Sequence, residues 1–345
     1  MDAPQGAWQS DAQVNTRVPT TIALLLAAWL LPSALSAAPS ATAHAYLEHA
    51  LDLMQQNSLH RATLDFRAIR AHAFAAAADA ETTQDTWPAI RIALAALGDG
   101  HSALLTPGDA PLPERHDAGA DVPSPALPSG RILDGRIGYL HVPGHRRGGR
   151  DADVEFADAL QTLIYRIERT SPCGWVVDLR DNPGGNMWPM LAGLEPLLGG
   201  RDVGAFRDAE GGLVRWWVDA GAAGAGDTAH AASHYAVEVG APRARVAVLT
   251  GPVTASSGEA VAVAFRGRSG ARSFGSPTRG VSTGNRGFVL DDGAVLFITA
   301  SRFVDRTGMV HGGPLEPDVA VEPSAALDPA VAWLQQHARC RTMPR

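Results

Sequence analysis

The chain has no lysine. All 29 residues counted as Lys plus Arg are arginines. Guanidinium does not deprotonate in proteins, so no mechanism that needs a lysine amine as base can operate here. Cysteine is nearly absent as well, with only Cys173 and Cys340. Neither has a C-x-x-C partner, which excludes a redox or zinc motif of that type. In an oxidising compartment the two could form one disulfide tying the C-terminal tail to the core; two buried thiols fit the sequence equally well. There is no basic tract and no interleaving of basic with aromatic residues, and the net charge is −7. That excludes a nucleic-acid partner. H-E-x-x-H is missing, and His44 with His49, or His141 with His145, lacks a third ligand, so neither a metal nor a cofactor is expected. A G-x-S-x-G elbow is also missing, which disfavours an esterase of the α/β-hydrolase type. No internal repeats are present.

What is present suits a globular protein of one large or two modest domains, with 345 residues of which 46% are hydrophobic. An apolar run from Thr20 to Ala38 follows Arg17 and closes on the small residues Ala34, Ser36, Ala37 and Ala38. It reads as a signal peptide cut near Ser36–Ala38, or as a single membrane anchor covering residues 1–38. Either implies export to a periplasmic or other extracytoplasmic site.

Helical periodicity covers residues 45–98, with Leu47, Leu51 and Met54, then Phe66, Ile69 and Ala73, then Ile90, Leu94 and Leu97 on successive apolar faces, and Gly98 as the stop. A helical bundle is expected there. Residues 99–129, rich in Pro, Asp, Ala and Gly, read as a loop or linker. An α/β core is expected over 130–325, with a C-terminal helix and tail over 326–345. Arg136–Val142, Gly174–Arg180 and Arg245–Gly251 read as buried strands. An amphipathic helix carries Phe156, Leu160, Leu163, Ile164 and Ile167, and another spans Met187–Leu198. Strand, helix and strand in that order predict a right-handed crossover in a mostly parallel sheet. Residues 201–240 read as an irregular cap over a cleft, with Leu213–Ala220 as a hairpin strand and Gly221–Gly226 as a flexible tip. Asp292-Gly293 marks the turn of a later hairpin.

Three stretches carry candidate chemistry. In "VTASSGEA", Ser256 stands between a strand and a helix, where unpaired N–H groups and the helix dipole can hold a developing oxyanion. The same residues, Ser256 and Glu259, also form a capping-box pattern, which needs no catalysis. In "DLRDNPGGN", Gly184 and Gly185 permit unusual backbone angles and close approach. In "GDGHS", His101 follows a helix end and a tight turn. Each stretch alone is more often structural than functional.

Together, in this order and spacing, "GDGHS", "GWVVDLRDNPGGN" and "VLTGPVTASSGEA" resemble the C-terminal-processing (tail-specific) serine protease family. Within it they are most similar to the histidine-dependent branch typified by the nisin-resistance protease. "FGSPTRG" and "GGPLEPDVAV" match further family-like segments, and the resemblance spans roughly Ala45 to Glu322. It implies a crotonase- and Clp-protease-like α/β core of β-β-α units, with the helical bundle and a small cap. It implies Ser256 as nucleophile, His101 as general base, and an oxyanion hole from the N–H groups of Ser257 and of Gly184 or Gly185. The better-known branch places a lysine where this chain has Val281, and it carries a PDZ domain for which residues 107–129 leave no room. The orienting partner of His101 stays open among Ser102, Asp99, Glu316 and Glu259, or no carboxylate at all. The implied function is hydrolysis of exported, extended peptides through an acyl-enzyme. The alternative is a non-catalytic peptide- or ligand-binding module of the same fold.

Overall fold

In the computed structural model, residues 38–109, 126–134, 136–146, 149–239, 244–337 and 340 are described. Contacts divide the chain into Met1–Ser36 and Ala37–Arg345, and the second unit holds all described residues. The run read as a signal peptide or anchor lies, up to residue 37, outside them. No helix among the described residues is long and apolar enough to cross a membrane.

Three helices come first: α1 (Ala41–Asn57), α2 (Phe66–Ala76) and α3 (Trp87–Ala96). Ser40 caps α1 by accepting from the Ala43 N–H, and Asp65 caps α2 by accepting from the N–H groups of Arg67 and Ala68. Pro88 fits the first turn of α3, where no N–H partner is lost. The residues expected on the three apolar faces are all buried. They pack on one another and on Leu104, Leu290, Leu296 and Ile298, so this bundle is fused to a sheet rather than free of it. Tyr46 and Trp87 both donate to the Asp292 carboxylate, which also holds the turn at Asp292-Gly293.

The rest of the chain runs β1 (Ala103–Leu105), β2 (Ser129–Leu133), β3 (Ile137–His141), α4 (Arg150–Glu168), β4 (Gly174–Asp178) and α5 (Met187–Leu198). Then come β5 (Asp202–Asp208), β6 (Leu213–Asp219), β7 (Ala222–Ala225), β8 (Thr228–Ala232), β9 (Arg245–Thr250) and α6 (Ser257–Phe265). The last elements are β10 (Ala271–Gly275), β11 (Thr283–Val289), β12 (Val295–Val304), β13 (Val310–His311), β14 (Val319–Ala320) and α7 (Leu327–Gln335).

Two sheets result. One has the order β14-β10-β9-β4-β3-β2, parallel except for the β2–β3 pair. Its inner strands are apolar throughout because both faces are covered. Trp175, Val177, Val246 and Val248 face α4, α5 and α6. Val176, Ala247 and Leu249 face α7. The other sheet, with β12 at its centre, is antiparallel and orders β1-β12-β5-β6-β7-β8, with β11 and β13 also on β12. A disulfide joins Cys173, just before β4, to Cys340 beyond α7.

Three expectations need correction. Residues 201–240 are not irregular: they contain β5 to β8. Gly221–Gly226 is not a flexible tip, because Ala222–Ala225 form β7, with Ala223 fully buried. The small residues serve close packing. A Cβ on Gly224 would lie 2.2 Å from the Thr228 carbonyl oxygen and 2.5 Å from the Trp217 ring. Composition alone reads the same residues as a turn. The linker expected over 99–129 also contributes β1, whose Leu104 is buried against the bundle; residues 110–125 lie outside the described set.

Candidate active site

Strands β4 and β9 are parallel neighbours, with Asp178 opposite Leu249. Their C-terminal loops therefore emerge side by side, where open α/β sheets bind ligands. Asp178, 2% exposed, anchors the first loop. It takes a two-pronged hydrogen bond from Arg180 and another from the Tyr139 hydroxyl. Burial alone would raise the Asp178 pKa, but these donors outweigh it and hold it below the usual carboxylate range. Asn182, fully buried, stitches the loops together. Its amide donates to the carbonyls of Val142 and Pro143, its side-chain oxygen accepts from the Gly184 N–H at 2.9 Å, and its carbonyl accepts from Ala255 N–H at 3.0 Å.

Ser256 stands at the start of α6 with φ 51° and ψ −116°, a conformation strained for a residue with a side chain. Its own loop holds it there. Ser256 and Glu259 form the capping box read from the sequence, and the Ser256 N–H donates to Glu259 Oε2 at 2.8 Å. Gly184, at φ 101°, lies beneath: a Cβ there would come 2.8 Å from the Ser256 Cβ. Gly185, at φ 122°, is packed so that a Cβ would fall 2.0 Å from the His145 carbonyl oxygen.

Two N–H groups in this corner have no partner among the described residues, those of Gly185 and Ser257. The Gly184 carbonyl accepts from the His145 N–H at 3.1 Å. In a trans peptide the N–H points opposite the carbonyl, so the Gly185 N–H faces away from His145. The Ser257 hydroxyl donates to the Gly185 carbonyl at 2.5 Å and locks the two segments together. Of the two glycines between which the oxyanion role was left open, Gly184 has its N–H committed to Asn182.

His101 comes from a distant part of the chain, on the loop between α3 and β1. Its Nε2 is 2.9 Å from Ser256 Oγ, and its Nδ1 is 2.7 Å from Thr283 Oγ1. Burial lowers its pKa; Asp99 pulls upward and Arg279 downward, leaving it below the ordinary value of 6.5. The neutral, proton-accepting ring is thereby favoured at neutral pH.

None of the four residues weighed as a direct partner of the ring is one. Asp99 instead shapes the turn: its carboxylate accepts from the N–H groups of His101 and Ser102 and from the Ser102 hydroxyl. Ser102 also accepts from the Thr299 N–H on β12. Glu259, fully buried, is saturated by the N–H groups of Ser256, Gly280 and Val281 and by the Thr278 hydroxyl. A carboxylate so occupied braces Ser256 against the loop before β11 and has nothing left for the histidine. Glu316 is exposed, and its main-chain carbonyl accepts from Arg266. Thr283 went unnoticed because β11 pairing, which no local motif encodes, brings it to the ring. Asn285 on the same strand donates to the His101 carbonyl at 3.0 Å. Among the described residues, no three His, Cys, Asp or Glu side chains converge as a metal site.

A parallel-sheet core with a serine at a strained strand–helix junction, a histidine on its hydroxyl and unpaired N–H groups beside it has the makings of a serine hydrolase. The family profile of peptidase family S41 matches residues 136–321, and the chain belongs to that family. It is 28% identical over 205 residues to the nisin-resistance protein of Lactococcus lactis subsp. lactis, covering 59% of this chain and 61% of that one. The alignment thus spans about three fifths of this relative's length. A lipoprotein structure from Streptococcus agalactiae superposes with a TM-score of 0.68 at 23% identity, covering 86% of this chain and 97% of that one. The photosystem II D1 C-terminal processing protease superposes with a TM-score of 0.57 at 15% identity, covering 88% and 100%.

Proposed function

We propose that this protein is a serine endopeptidase that hydrolyses exported peptides or proteins through a Ser256–His101 acyl-enzyme mechanism. The observation that carries the reading is the 2.9 Å contact between His101 Nε2 and Ser256 Oγ, made beside the unpaired N–H groups of Gly185 and Ser257. With Nδ1–H donating to Thr283 Oγ1, Nε2 is free to accept the serine proton. As that proton moves, Oγ attacks the scissile carbonyl carbon. The resulting oxyanion is held by the N–H groups of Gly185 and Ser257. His101 then gives the proton to the leaving amine, and water, activated by the same nitrogen, releases the acyl group. No carboxylate backs the histidine in this scheme; Thr283 holds the ring, and Asp99 contributes only through space.

Export is supported by the apolar run at Thr20–Ala38, by the disulfide, which persists in oxidising compartments, and by likeness to a lipoprotein. Similarity to a nisin-resistance protein supports peptide substrates, extended in the cleft beneath the β5–β8 cap. The test is hydrolysis of a peptide library by the full chain beside Ser256→Ala and His101→Ala. Loss of turnover in both variants, with wild type active, is the expected result. Undiminished turnover in Ser256→Ala would assign the reaction to another group.

A further inference from the structure

Outside the Ser256–His101 contact lies another buried histidine, one that has an acidic partner and no nucleophile. His145 is 3% exposed, and its Nε2 is 2.7 Å from Asp153 Oδ1. The other oxygen, Asp153 Oδ2, accepts from the Asn186 side-chain amide at 3.0 Å. One carboxylate in the first turn of α4 therefore grips two segments at once. Those segments flank the Gly184–Gly185 peptide. The His145 N–H donates to the Gly184 carbonyl at 3.1 Å, and the His145 carbonyl accepts from the Asn186 N–H at 2.7 Å. Asn186 also caps α5 by accepting from the Trp188 N–H at 3.1 Å. The Phe156 ring, 4.6 Å away by centroids, packs on the imidazole.

We infer that His145 and Asp153 are positioning residues for the oxyanion site, acting through Asn186 and the Gly184–Gly185 peptide; this rests on the peptidase reading above. The physical case is directional. An N–H stabilises a developing oxyanion only if it is already aimed before the charge appears. Two consecutive glycines at positive φ have no side chains to hold that aim. The aim must come from neighbours. His145 fixes the peptide's carbonyl side, Asn186 fixes its exit, and Asp153 joins the two. Among the described residues no hydrogen bond joins His145 or Asp153 to Ser256 or His101, so the pair serves aim rather than proton transfer.

The test uses the full chain, a peptide substrate and its peptidyl boronic acid. Boron accepts a lone pair from Ser256 Oγ as the hydroxyl proton passes to His101 Nε2, giving a tetrahedral anion whose oxygen occupies the oxyanion site. Asp153→Asn keeps the side-chain volume but loses the charge and one of the two acceptors. It should lower kcat and weaken boronate binding in parallel, each by roughly 100-fold, the cost of a misaimed reactive group. Binding of the uncleaved peptide, measured in a Ser256→Ala background, should change by less than about twofold, since ground-state binding does not use the oxyanion donors. Asn186→Ser keeps the α5 cap but drops the bond to Asp153, and it covers the case in which Asp153→Asn fails to fold. It should show the same split. Unchanged kcat in the folded variants, or equal loss of peptide and boronate binding, would overturn the positioning role while leaving the peptidase reading intact. A wild type that neither cleaves nor binds the boronate would overturn both.

Discussion

At the scale of single residues, Ser256 answers two descriptions at once. It caps a helix and it presents a hydroxyl to a histidine, and substitution separates the two. Ser256→Ala is expected to lower kcat/KM by about 10^4-fold or more. Its stability, followed by thermal denaturation, should fall by only about 1 kcal/mol, the worth of a cap. Thr283 offers a finer test. Thr283→Val removes the contact to His101 Nδ1 without changing the volume much, leaving the ring free to take the wrong tautomer. About a tenfold fall in kcat is expected, equivalent to one ordinary hydrogen bond. KM should hold steady and Thr283→Ser should restore the rate. The pH profile follows from burial of His101. Its folded pKa lies below 6.5, so kcat/KM should rise with pH on a limb below that value and be flat by neutrality. The sign for stability runs the same way. The unfolded chain takes up the proton more readily, so wild type should lose stability relative to His101→Gln as pH falls through the ordinary histidine range. A limb centred above 6.5 would contradict the burial argument.

At the scale of elements, the Gly-Gly loop is the least tolerant part. Gly185→Ala forces a Cβ to within 2.0 Å of a main-chain oxygen, on top of a positive φ. Activity should fall by on the order of 100-fold, and the unfolding free energy measured by urea titration should fall by about 2–3 kcal/mol. The elements also show what a sequence can and cannot say. Helix faces such as Leu47, Leu51 and Met54 were legible because burial repeats with the helical period. The strands β3, β4 and β9 were legible because a doubly covered sheet demands unbroken apolar runs. The Ser256 loop and the glycine loop stood out by residue type. What was hidden lay across the chain: Thr283 reaches His101 from 182 positions away, and the Tyr139–Asp178–Arg180 anchor spans two strands. Ala-Gly tracts such as Gly221–Gly226 misled because small residues mark tight packing as readily as turns.

At the scale of the whole molecule, the Cys173–Cys340 disulfide closes a loop of 167 residues in sequence separation. Removing it with Cys340→Ala should cost about 2–5 kcal/mol in the reversible unfolding of the oxidised protein. Specific activity at temperatures well below the transition should be unchanged, since the bond lies at the end of β4 opposite the site. The disulfide has a second consequence, one of connectivity. Ser256, both loop glycines and strands β5–β8 all lie inside the covalent ring, and His101 lies outside it. A single cut anywhere inside the ring leaves the pieces joined, so nicked protein should run as one chain on a denaturing gel until reductant is added. A cut between His101 and Cys173 instead severs the piece bearing the histidine from the piece bearing the serine. The pieces left by a cut within β5–β8 are thus held by a covalent bond, whereas those left by a cut in residues 102–172 are held by packing alone.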